Sequence, residues 1–81
     1  MVEHNMTVGS SFESKAIAEL VQKASQFKCH ISLVVGEKTA NAKSIMGIIS
    51  LNLRDGDTVK LMAIGEDENQ VVSALRHIFE S

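Results

Sequence analysis

In "VEHNMTV" the residues Val2, Met6 and Val8 fall on one alternating face, the pattern of a strand with one side buried. The spacing then changes. Ile17, Leu20, Val21, Ala24 and Phe27 recur at helical intervals, which predicts a helix of about four turns. Ser10 stands three residues before Glu13, the spacing of a capping box with Glu13 as its N3 glutamate. "HISLVV" restores the alternation with Ile31, Leu33 and Val35, and "GEK" turns the chain into a weaker strand, "KTANA". A second helix is predicted from Ser44 to about Leu53, where "RDGD" punctuates the chain. In "TVKLMAIG" Val59, Leu61 and Ala63 alternate as a fourth strand. Asp67 and Gln70 repeat the capping-box spacing ahead of Val71, Val72, Leu75, Ile78 and Phe79, a last amphipathic helix. Every element has one apolar side to bury. The order strand, helix, two strands, helix, strand, helix therefore predicts an α+β two-layer sandwich: a four-stranded sheet with three helices on one face.

Composition narrows the function classes. At 81 residues the chain is one domain spanning 1–81, without Pro, linker or low-complexity segment. A net charge of -2 with no basic stripe speaks against nucleic acid, and three Phe without Trp or Tyr leave little to stack on bases or sugars. No apolar run approaches the roughly 18 residues of a membrane span, and "MVEHNMTV" lacks the basic start and long apolar middle of a signal peptide. The single Cys29 can form no internal disulfide, so a reducing cytoplasm is the expected setting. Cys29 and His30 are adjacent and point to opposite faces of a strand, and no second Cys/His pair completes a metal site. His4 and His77 have no partner recognisable from sequence. No cofactor and no metal are expected.

The chemistry concentrates on "NAKSIMGIIS". Ser44 begins the second helix, where an N-cap hydroxyl is worth about 1 kcal/mol. A phosphate on it would meet helix N–H groups. After it, Ile45, Met46, Ile48, Ile49, Leu51 and Leu53 are more apolar side chains than one face of a short helix can bury. Contiguous exposure of several would make a docking patch.

"NAKSIMGIISL", together with "LVQKASQF" and "GEDENQVVSAL", resembles HPr, the histidine-containing phosphocarrier family of the bacterial sugar phosphotransferase system, from about Ser10 to Phe79. The resemblance implies an open-faced β-sandwich, Ser44 as a regulatory phosphorylation site, and Lys43, Ile45, Met46 and Ile49 as partner-binding residues. The family's carrier site does not carry over. Its Gly-Ile-His-Ala-Arg-Pro-Ala run reads "SFESKAI" here, so Glu13 stands in the histidine's place, Lys15 in the arginine's and Ala16 in the proline's. A register shifted by one residue offers Ser14 instead. A carboxylate has no neutral ring nitrogen to form a phosphoramidate, and lysine lacks the guanidinium fork that grips phosphate. Serine without histidine is the pattern of Crh-type regulatory relatives. It implies a non-enzymatic adaptor of carbon catabolite control, modified by HPr kinase/phosphorylase and binding a catabolite control protein or another regulator. Neither nucleic acid nor membrane would be bound directly, and the state would be monomer or homodimer. A phosphocarrier with a non-standard acceptor, and an interaction domain with neither site active, remain as other readings. Glu13 is a helix cap in one view and a fixed charge resembling a phosphorylated histidine in the other.

Overall fold

The computed structural model describes residues 1–10 and 12–80 and contains the expected order of elements: β1 (Val2–Thr7), α1 (Ser14–Ala24), β2 (His30–Val35), β3 (Lys38–Asn41), α2 (Ile45–Leu51), β4 (Thr58–Ile64) and α3 (Glu68–Glu80). The four strands form one antiparallel sheet in the spatial order β1-β4-β2-β3. Register is set by side-chain alternation, because a slip of one residue would turn every apolar side chain to solvent. Met6 stands opposite Val59, Leu33 opposite both Leu61 and Ala40, and Ile31 opposite Ala63. All seven are buried.

The helices close over that face with Leu20 and Ala24 of α1, Ile48 and Leu51 of α2, and Val71, Leu75, Ile78 and Phe79 of α3. The β2–β3 hairpin turns in two residues, Gly36 and Glu37. Its first position has φ 60, a conformation glycine supplies without Cβ strain. Gly65 has a second reason to be glycine: a Cβ there would lie 2.5 Å from the Cβ of Cys29.

Several boundaries differ from the periodic reading. The first helix is 11 residues long and leaves Phe27, half-buried, beyond its end. Glu13 is not the N3 residue of a box begun by Ser10. It is itself the N-cap, with extended backbone and no side-chain cap bond. The cause is tertiary. Gly9 N–H donates to the Phe79 carbonyl at 2.7 Å, Phe12 N–H turns back to Gly9 at 3.3 Å, and the Phe12 ring stacks on Phe79 with centroids 5.2 Å apart. Docking Phe12 in the core spends these residues on a turn, so the helix begins later.

At the other ends the shifts are smaller. β3 stops at Asn41, although Ala42 N–H still donates to Ile31 O at 3.0 Å. The second helix ends at Leu51, because Asn52 adopts the left-handed conformation (φ 54) that closes helices, and Leu53 lies past it.

Asp67 does not cap α3 in the manner its spacing suggested. Its carboxylate accepts from the backbone N–H groups of Lys28 at 2.9 Å and Cys29 at 3.0 Å, across the molecule. Gln70 N–H instead donates to the Asp67 carbonyl at 3.1 Å.

Candidate functional site

Ser44 sits where β3 hands over to α2, in the extended conformation of an N-cap. Its Oγ accepts from Gly47 N–H at 3.1 Å, and its own carbonyl accepts the first helical bond from Ile48 N–H at 3.1 Å. Two adjoining bonds fix the approach. Asn41 Oδ1 accepts from Lys43 N–H at 2.9 Å, and Ser44 N–H donates to the Asn41 carbonyl at 3.0 Å. The hydroxyl is half-buried, with the cap bond taken by its oxygen.

Lys43 is committed elsewhere. Its Nζ donates to the Phe27 carbonyl at 2.7 Å, which ties the loop after α1 to the start of α2. The ammonium stands close to Ser44 in sequence but is anchored by a carbonyl rather than projecting freely.

The apolar surplus of α2 divides cleanly. Ile48 is 1% exposed and Leu51 is buried, while Ile45 is 46%, Met46 78% and Ile49 55% exposed. Spacing explains the division. Ile48 and Leu51 lie three apart on the inward face, and Ile45 and Ile49 lie four apart on the outward one. The exposed trio follows Ser44 directly, so the hydroxyl and the patch share one helix.

The residues that the resemblance sets against the carrier site lie on another element. Glu13, Ser14 and Lys15 are exposed at the start of α1, and Ala16 is half-buried. No described side chain pairs with the Glu13 carboxylate. A cleft of about 300 Å³ separates this end of α1 from the far end of α2, lined by Phe12, Glu13, Ser14, Ile17, Ile48, Ile49, Asn52 and Leu53. Glu13 thus faces the C-terminal half of α2. Ser44 begins the same helix one helix length away, about 10 Å at 1.5 Å per residue. The structure does not bring Glu13 and Ser44 into contact. The cleft itself was not foreseeable from spacing, because Phe12 and Leu53 lie outside both helices.

The remaining candidates supply no second centre. Burial and then the Asp67 carboxylate push the Cys29 thiol up, which keeps it protonated and unreactive at neutral pH. His30 and His77 are exposed, and His4 is half-buried on the covered side of β1. Among the described residues no group of His, Cys, Asp or Glu could hold a metal ion, and no helix is long and apolar enough to cross a membrane.

Residues 4–81 match the PTS-HPr family, described as the PTS HPr component phosphorylation site. The chain is 36% identical to the phosphocarrier protein HPr of Xylella fastidiosa, covering all of this chain and 93% of that one. It is also 36% identical to the HPr-like protein Crh of Halalkalibacterium halodurans, over 93% of this chain and 92% of the relative. Among solved structures, HPr-C-His from Thermoanaerobacter tengcongensis superposes with a TM-score of 0.89 at 37% identity, covering 98% of this chain and 91% of that one.

Proposed function

The chain belongs to the HPr family, and we propose that within it this protein is a regulatory adaptor, switched at Ser44 and without histidine carrier activity. One observation carries the reading: the capping serine opens a helix whose next exposed side chains form a contiguous apolar patch. The position that would carry a phosphohistidine holds a solvent-facing carboxylate instead. An HPr kinase would transfer the γ-phosphoryl group of ATP to Ser44 Oγ. An O–P bond forms, the terminal anhydride bond breaks, ADP leaves and the hydroxyl proton is released. The product gains about -1.5 to -2 charges beside the patch. Its oxygens can take over the Gly47 N–H, so the helix keeps its cap while the surface changes sign.

The partner class is a catabolite control protein or a similar regulator, and the expected setting is the cytoplasm. A partner bearing arginines at the rim of the patch would bind the phosphorylated form more tightly. Incubation with HPr kinase and ATP should add one phosphoryl group by intact mass, and Ser44→Ala should add none. An unmodified wild-type chain would overturn the switch.

A second reading is favoured by one comparison, since the Xylella relative is named a phosphocarrier. In that reading some residue other than Glu13 accepts the group. Enzyme I with labelled phosphoenolpyruvate decides between them. The adaptor acquires no label from phosphoenolpyruvate, and a carrier with an unusual acceptor does.

A further inference from the structure

The cleft between α1 and α2 has a composition that selects its occupant. Its walls are the apolar side chains of Phe12, Ile17, Ile48, Ile49 and Leu53, and its polar groups are Glu13, Ser14 and Asn52. About 300 Å³ is at the lower limit of small-molecule pockets, so it suits one side chain better than a cofactor. Glu13 brings the one formal charge in the lining. That carboxylate has no ion-pair partner among the described residues, whose ion pairs join Met1 with Glu68, Lys60 with Glu3 and Arg76 with Glu80. Ile49 belongs both to this cleft and to the exposed patch on α2, so the two surfaces are continuous.

We propose that this cleft is a socket for an arginine side chain of a protein partner docked on the α2 patch. The match is one of shape and charge together. An arginine stem is a narrow aliphatic chain that can lie along Ile17, Ile48, Ile49 and Leu53. Its guanidinium is planar, always charged and pairs with a carboxylate through two parallel N–H donors. Glu13 supplies that carboxylate, and the Ser14 hydroxyl and Asn52 side-chain carbonyl can accept from the remaining N–H groups. An anionic or purely apolar side chain would leave the carboxylate opposed or unpaired. The proposal rests on the reading of α2 as a docking surface. It adds the charge its partner must present at the end of the helix away from Ser44.

The test needs neither kinase nor partner, so its failure is separable from failure of the Ser44 switch. N-acetyl-arginine N-methylamide is titrated into the isotopically labelled protein at low salt, with the citrulline analogue as a neutral control of the same shape. Saturable shifts of the Ile17, Ile49 and Leu53 methyl signals are expected with arginine, and a response about fivefold weaker with citrulline, which keeps the shape and loses the ion pair. Glu13→Gln should weaken the arginine response about fivefold, the upper end of an exposed ion pair. Glu19→Gln, which removes an exposed charge from the same helix outside the cleft, should leave it unchanged. Backbone shifts remote from the cleft verify that each variant is folded. Equal response to citrulline, no response at all, an undiminished response in Glu13→Gln, or an equal loss in Glu19→Gln would each overturn the socket. Cleft signals that move on simple dilution of the protein would give the site to a second copy of this chain and overturn it equally.

Discussion

Helices α1 and α2 start alike in backbone and differently in chemistry. Glu13 and Ser44 are both N-caps with extended backbone, at φ -125 and -115. The serine oxygen reaches back to Gly47 N–H, whereas the glutamate makes no side-chain cap bond. Serine is short enough to place its oxygen over the first turn, while the longer glutamate side chain carries its charge outward. Ser44 Oγ therefore holds the helix cap, and under the proposed switch the same atom would carry the phosphoryl group. Glu13 is released from structural duty, and its carboxylate is available at the cleft. Glu13 is thus charged, exposed and backed by apolar walls.

The sharpest way to break this comparison is to ask whether α2 has two separate faces. Ile48→Ala removes a buried side chain and should cost about 2–5 kcal/mol in denaturant unfolding. Met46→Ala removes one that is 78% exposed and should cost well under that range while weakening partner binding. Similar losses for the two would return the patch to the core and remove the basis for docking.

A smaller effect separates the two caps. Ser44→Ala should cost about 0.5–2 kcal/mol, because Gly47 N–H loses its side-chain acceptor. Glu13→Ala should lie within the roughly ±0.5 kcal/mol usual for surface changes. Thermal or urea denaturation of the two variants side by side measures both. A Glu13→Ala loss as large as that of Ser44→Ala would restore a capping role to the glutamate and leave less reason for its charge to serve recognition.

These contrasts also show where sequence patterns are informative. Strand alternation and helical spacing predicted all seven elements, because burying one side of each is the dominant constraint on so small a domain. The Ser44 cap was legible for the same local reason: a serine directly ahead of an apolar run. The start of α1 and the cap bonds of α3 were misread, although α3 does begin directly after Asp67. Ser10 and Glu13 have capping-box spacing, but Phe12 is drawn into a stack with Phe79, and that contact decides where α1 begins. Asp67 has the right spacing to Gln70, yet its carboxylate is taken by amides 38 and 39 residues away. Lys43 likewise meets a carbonyl 16 residues back. A local pattern marks a residue able to cap, and the tertiary fold decides which N–H groups it meets.

The start of α3 extends the comparison to pH, with the smallest expected effect because its carboxylates are screened by solvent. Backbone donation from Lys28 holds the Asp67 carboxyl below its usual 3.8, with further help from the thiol and N–H of Cys29. The N-terminal ammonium, followed by Gly65 N–H, holds Glu68 below its usual 4.5. Both groups bind protons more weakly folded than unfolded. Their contribution is complete above the unfolded values and is lost as pH falls through the depressed folded ones, so stability should decline from about pH 4.5 downward. Asp67→Asn should flatten part of that decline. It should also lower stability at neutral pH, because one amide oxygen cannot replace two carboxylate oxygens facing two N–H groups. Ser44→Ala removes a group that does not titrate, so its loss should stay constant from neutral pH through the acid limb. Urea denaturation at successive pH values distinguishes the two behaviours. An Asp67→Asn curve parallel to wild type would show that the 28–29 amides are satisfied without the charge, making Asp67 a neutral acceptor like Ser44.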